Sequence, residues 1–145
     1  MSTEQNKTIA RRYAEELQDF WRTGDLSFVD RIFDSNYIQH VPGVPPSMSV
    51  KQIFAALRAG IPDFQTTIED LIAEGDRVAV RISWQGTHKG ELMGIPPTGK
   101  HVKVTEMQIY RMTNGKIVER WVESDVFGMM QQLGIIPIPE EQQQR

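Results

Sequence analysis

Residues 102–125 read VKVTEMQIYRMTNGKIVERWVESD, and the fold turns on them. Val102 to Met112 has the spacing of a strand, Asn114-Gly115 is a strong hairpin signal, and Ile117 to Glu123 is the return strand. Side chains alternate across a strand, so Glu106, Gln108 and Tyr110 share one side and Met107 and Ile109 the other. Two registers satisfy the turn. A plain two-residue turn sets Gln108 opposite Trp121 and Glu106 opposite Glu123, which gathers Glu106, Gln108, Tyr110, Trp121 and Glu123 on one face. One bulged residue sets Gln108 opposite Val122 and Trp121 opposite Ile109, which takes the tryptophan away from the polar group. The pattern leaves both open. Hydrophobicity alone would as readily bury Met107 and Ile109 and turn the polar trio to solvent.

Upstream of this hairpin the period is also 2. Val78, Val80, Ile82 and Trp84 alternate, and Thr66 to Ala73 is a partner strand closed by the Glu74-Gly75-Asp76 turn. Lys89 to Lys100, rich in glycine and proline, reads as a long loop, placed over an opening or at an oligomer contact. Further back the period becomes helical. Ile9, Tyr13, Leu17 and Trp21 form a stripe with Ala10, Ala14 and Phe20 beside it, ended at Gly24. Leu26, Val29, Ile32 and Phe33 suggest a short second helix capped by Asp25. Tyr37 to Val41 is a short extended piece before a proline-rich loop. Ser49 with Gln52 is a capping box opening a third helix that stops at Gly60-Ile61-Pro62. After the hairpin, Val126 to Leu133 is a last helical segment before Gly134. Helices followed by an antiparallel meander imply an α+β fold: a cone-shaped, curved antiparallel sheet closed by three helices of the N-terminal half, with a pocket at its mouth. Residues 1–6 and 140–145 are expected to be flexible.

Composition narrows the function. The chain has 145 residues, no cysteine, three histidines, 16 Lys+Arg and 19 Asp+Glu, for a net charge of −3. That is one domain spanning 1–145, with no disulfides, no thiol nucleophile and no basic stripe for nucleic acid. No apolar run is long enough for a membrane span or a signal peptide, so the expected location is cytoplasmic.

Gly86-Thr87-His88, Gly90, Gly94, Pro96-Pro97-Thr98-Gly99, Asn114-Gly115-Lys116-Ile117, Glu119-x-Trp121-x-x-x-Asp125 and Gln132-Leu133-Gly134 occur in this order, with Tyr37, His40 and Ile61-Pro62-Asp63 upstream. In this respect the chain resembles the SnoaL-like polyketide (ester) cyclases, over about residues 7 to 137. The resemblance implies the cone-shaped barrel shared with ketosteroid isomerase and nuclear transport factor 2, and a homodimer or homotetramer built on the sheet. It also implies cofactor-free intramolecular aldol closure of a polyketide ester by a pocket aspartate, helped by a glutamine, a histidine and an asparagine. Carried over position by position, the aspartate falls on Val122, the glutamine and histidine on Glu106 and Gln108, and the asparagine on Gln39.

With that aspartate replaced, acid/base work passes to other carboxylates. Enolisation needs a base, a donor for the enolate oxygen and a dry pocket. Glu106 and Asp125 are the candidate acid/base groups, with Glu123 a third carboxylate better explained by a solvated strand face. Asp125 competes with a role as cap of the last helix. His40, before the proline loop, is a candidate at the pocket mouth, with a structural role as its alternative. Gln108, Tyr110, Gln39, Trp121, Val122, Tyr13 and His88 are expected around the ligand, Tyr13 from a lidding first helix and His88 from the strand end. His101 is expected to be exposed. Met48, Met93, Met107, Met129 and Met130 offer an adaptable apolar wall or ordinary core. No metal is expected, since the histidines lack ligand spacing, and the resemblance implies no cofactor. The expected partner is a small apolar carbonyl compound. The rival reading is a lipophilic-ligand binder on the same fold, and a third is a structural dimer with a filled cavity.

Overall fold

The computed structural model describes residues 2–139. Its first helix, α1 (Thr3–Thr23), starts two residues from the chain's beginning because Ser2 and Gln5 form a reciprocal capping box, and Asn6 is already buried. Residues 2–6 are therefore helix and cap rather than the flexible leader expected; the other tail, 140–145, lies outside the described residues. The α1 helix ends at Gly24, whose φ of 78° closes it in the left-handed conformation. A five-residue helix follows, α2 (Phe28–Ile32), without a side-chain cap. Asp25 instead accepts from the Ser27 backbone N–H in a local turn, and Phe33 belongs to the next strand.

The strands are β1 (Phe33–His40), β2 (Gln65–Glu74), β3 (Arg77–Thr87), β4 (His101–Thr113) and β5 (Lys116–Ser124). Between β1 and β2 lies α3 (Val50–Gly60), opened by the Ser49/Gln52 capping box, and α4 (Val126–Gln132) follows β5. The sheet has the order β1-β5-β4-β3-β2. It is curled and unclosed. Four strands form the expected antiparallel meander, but β1 joins the β5 edge in parallel, with His40 beside Trp121 and Gln39 beside Arg120. A parallel pair needs a long crossover, and α3 with the meander provides it.

The hairpin between β4 and β5 takes the bulged register. Asn114 and Gly115 both have positive φ, 51° and 79°, as a two-residue primed turn requires. Met112 pairs with Ile117 and Arg111 with Glu119, so Val118 is the extra residue. That single insertion shifts the phase of β5: Ile117, Arg120 and Val122 are buried while Trp121 turns outward opposite Ile109.

The α1 helix lies across the concave side of the sheet. Gln18 fastens it at one end, donating to the Phe64 carbonyl at 2.8 Å and accepting from the Thr66 N–H at 3.1 Å. Trp21 donates to the Ile61 carbonyl at 2.7 Å and stacks on Phe64 at 4.3 Å. Tyr13, Phe33, Phe54 and Tyr110 then pack edge to face or tilted around the narrow end of the cone.

Candidate active site

Two adjoining chambers occupy the cone. The inner one, about 100 Å³, lies between α1 and the concave faces of β3, β4 and β5. Ala10 and Ala14 line it one helical turn apart, and their short side chains keep α1 from filling it. The outer one, about 330 Å³, is an apolar vestibule walled by the 41–48 loop, Leu92, Met93, Val126 and Met129. Val41, Ile53, Leu57, Trp84, Glu106 and Val122 line both, which makes Glu106 the carboxylate at their junction.

Glu106 sits at the end of a directed hydrogen-bond chain. The Tyr110 hydroxyl donates to Gln108 Oε1 at 2.9 Å, Gln108 Nε2 donates to Glu106 Oε1 at 2.7 Å, and Trp84 Nε1 donates to Glu106 Oε2 at 3.2 Å. The tyrosine fixes which end of the amide faces the carboxylate, since Gln108 presents its oxygen one way and its nitrogen the other. Each carboxylate oxygen receives one N–H and retains acceptor capacity for a proton from a ligand. The placement follows from pairing. Val78, Val80 and Ile82 of β3 face the core and stand beside Tyr110, Gln108 and Glu106, so β4 turns its polar alternates inward. Met107 and Ile109 are left on the outside.

At the closed end lies Arg120, only 4 % exposed. Its Nη1 donates to the Tyr13 hydroxyl at 2.8 Å and its Nε to the Tyr37 hydroxyl at 2.9 Å, while Phe54 and Phe33 flank the guanidinium at 5.7 and 6.0 Å. Burial pushes the phenols of Tyr13 and Tyr110 well above their usual range, although the Arg120 charge pulls the other way. Both are therefore neutral hydroxyls at physiological pH. Since the Tyr13 oxygen accepts from Arg120, its own hydrogen is free to point into the chamber.

Of the residues expected around a ligand, Glu106, Gln108, Tyr110, Val122 and Tyr13 line the inner chamber. The others do not. Asp125 is an exposed N-cap of α4, accepting from the Gly128 N–H at 2.9 Å, and lines neither chamber. The demand for a cap at that helix start decides its place. His40 and Trp121 are on the convex side, as the bulge and the parallel β1–β5 pairing dictate. They stack at 5.3 Å, and His40 Nε2 meets Glu119 Oε2 at 2.8 Å. That hydrogen bond and Arg111 on its other side hold the Glu119 carboxyl below its usual range. His88 is wholly buried beneath the 89–100 loop, with Nδ1 bound by the Thr98 N–H and hydroxyl, and anchors that loop. Gln39 donates to the Met48 carbonyl at 2.7 Å and borders a separate groove. Glu123 and His101 are exposed on the surface. The 89–100 loop borders the opening through Leu92 and Met93. Met48, Met93 and Met129 are vestibule wall, while Met107 is exposed outside. Among the described residues no cluster of His, Asp or Glu is arranged to hold a metal ion, and no helix is long and apolar enough to cross a membrane.

Sequence reasoning missed Arg120 and the indole N–H of Trp84. A signal for the first existed: once Val122 is taken to face the pocket, strand alternation sends Arg120 the same way.

The sequence model of a family described as SnoaL-like polyketide cyclase matches residues 11–133. Among solved structures, AclR of Streptomyces galilaeus, named as a candidate hydroxylase, is 27 % identical with a TM-score of 0.80, covering 99 % of this chain and 90 % of its own. A candidate polyketide cyclase of Acidithiobacillus ferrooxidans is 30 % identical with a TM-score of 0.77, covering 92 % and 98 %. IdmH of Streptomyces antibioticus, also named as a candidate polyketide cyclase, is 32 % identical with a TM-score of 0.66 over 81 % and 93 %. A search of curated proteins finds no match.

Proposed function

The chain belongs to the SnoaL-like polyketide cyclase family, and on that premise we propose that it is a small-molecule enzyme in which Glu106 moves a proton on an apolar carbonyl compound, giving cofactor-free cyclisation or isomerisation. The observation that carries this reading is the hydrogen-bonded Glu106 carboxylate where the inner chamber, with its few polar groups in an apolar lining, meets the apolar vestibule. In the proposed step a carboxylate oxygen takes the proton from the carbon next to the ligand carbonyl. The C–H electron pair becomes the enolate, whose oxygen is met by the Tyr13 hydroxyl, itself held by Arg120. The enolate carbon then attacks a second carbonyl, whose oxygen takes up the proton as the ring closes, or, in a ligand unsaturated one carbon further on, the conjugated dienolate is reprotonated at its far carbon. Glu106 returns its proton in either case. Val122, where the resemblance expected an aspartate, contributes an apolar wall beside the reacting carbon, and Glu106 replaces that aspartate from the neighbouring strand.

A lipophilic-ligand binder on the same cone would need no carboxylate at that junction, and a structural dimer would need no open cavity. The Tyr110–Gln108–Glu106 chain supports the enzyme reading over both. Its test is turnover of a panel of aryl β-dicarbonyl esters and ketones by wild type and Glu106→Gln. The expected loss is about a hundredfold or more, the ordinary range for removing a general base. Turnover by the variant within about tenfold of wild type contradicts the assignment.

The enzyme is further proposed to pair with a second copy through the convex sheet face. Ile72, Ala79, Ile109, Trp121 and His40 form one row across all the strands, and Ile72 and Ile109 are exposed at 68 % and 40 %. Ile109→Lys is expected to convert a sedimenting dimer or tetramer to monomer. A wild type that sediments as a monomer at micromolar concentration refutes the pairing.

A further inference from the structure

Arg120 is a buried cation that makes no ion pair among the described residues. Among the described residues the ion pairs involve Arg22, Arg31, Arg81, Arg111, Lys7, Lys51 and His40, and none reaches Arg120. Guanidinium is charged at every physiological pH, and an unpaired charge in an apolar interior is expensive. Here neutral tyrosine oxygens and aromatic faces take only part of its valence. Two of its five N–H groups are engaged, by Tyr37 and Tyr13, and the Nη2 hydrogens have no protein acceptor among the described residues. The guanidinium borders the inner chamber at the end away from the vestibule. A simple core position would be served by leucine or methionine. A tyrosine-held arginine facing a small cavity is instead a preformed receptor for an oxygen anion.

We infer that the inner chamber recognises the acidic oxygen of its ligand: the substrate class is a carbonyl compound that also bears a carboxylate, or an enol or phenol acidic enough to ionise, with that oxygen seated on Arg120 Nη2, which leaves the Tyr13 hydroxyl to the enolate oxygen. The apolar body then occupies the vestibule, among Met48, Leu92, Met93 and Met129, and the carbon between the two falls beside Glu106. Glu106 also lines this chamber, but it lies where the vestibule opens, with its oxygens already bound by Trp84 and Gln108. The inference rests on the proposed reading for the place of the reacting carbon. It does not rest on it for binding.

The probes are 1-naphthoate and 1-naphthamide, which share ring and shape and differ in charge. Titration calorimetry on the wild-type full-length protein at pH 7 is expected to show the acid binding at least about tenfold tighter than the amide, as a charge-assisted hydrogen-bond pair implies. In Arg120→Gln the preference is expected to disappear, and in Arg120→Lys to survive in reduced form, provided circular dichroism shows each variant folded. The wild-type comparison needs no variant. A wild type that fails to bind the acid, or binds the amide equally well, overturns the inference, as does a folded Arg120→Gln that keeps the preference. Glu106→Gln separates the two claims: it is expected to lose turnover yet retain the preference for acid over amide.

Discussion

Replacing Tyr110 by phenylalanine removes one oxygen from the chain that orients Glu106. The ring stays packed against Tyr13 at 5.7 Å, so little apolar contact is lost. What is lost is the 2.9 Å donor to Gln108 Oε1. Gln108 is 7 % exposed and Tyr110 2 %, so the orphaned carbonyl is left with only what the inner chamber can bring to it. An unsatisfied buried acceptor costs about 1–3 kcal/mol, and the small void left by the hydroxyl adds little, which places the expected loss at about 1.5 kcal/mol. For a domain of this size that is a fall of about 5 °C in melting temperature. Urea unfolding followed by tryptophan fluorescence should show a lower midpoint with unchanged slope. The decisive comparison is a double-mutant cycle with Gln108→Met. If the hydroxyl acts through the amide, Tyr110→Phe costs about 1 kcal/mol less in that background. A cost below about 0.5 kcal/mol in the wild type, or an equal cost in both backgrounds, refutes the directed chain.

Gly86→Ala should destabilise the protein by about 1–3 kcal/mol, read from thermal melts, because a Cβ there would collide with the fully buried Ile61 side chain. Asp63 accepts from the Thr87 N–H and hydroxyl at 2.6 and 2.7 Å. Burial pushes its carboxyl up, but those hydrogen bonds together outweigh it and hold the group below its ordinary value. A depressed carboxylate adds stability above its unfolded pKa and loses it as pH falls through the folded one. Asp63→Asn should therefore lower the urea midpoint at pH 7, by at most about 1 kcal/mol for so exposed a group, with the gap to wild type closing toward pH 3. A gap that persists undiminished at low pH would sink that assignment.

The elements were legible where a single local rule governed them. The capping box at Ser49, the stop at Gly60 and the alternation of Val78, Val80, Ile82 and Trp84 all appear as read. The face of β4 was harder, because Met107 and Ile109 are more apolar than the trio that faces inward in their place. Its orientation is imposed by β3 alongside and α1 above, which are tertiary facts. One inserted residue, Val118, decided whether Trp121 or Arg120 entered the cone, and nothing in a strand's composition marks where a bulge will fall. Asp125 shows the reverse case. The local rule, a cap before a short helix, was sufficient, and the motif it shares with the family gave it no place in the cavity. His40 and His88 were drawn toward the pocket by chain position, whereas the parallel β1–β5 pairing sends one outside and the 89–100 loop seals the other in.

The central claim is that Glu106 abstracts a proton from carbon next to a carbonyl, and this step can be observed without knowing the natural substrate. Proton–deuterium exchange at the activated methylene of 2-tetralone, followed by NMR in deuterated buffer, reports enolisation directly. Wild-type protein should accelerate the exchange over buffer, and Glu106→Gln should lower that acceleration by about a hundredfold. Exchange catalysed equally by wild type and Glu106→Gln, or no faster with wild type than in buffer alone, contradicts the account.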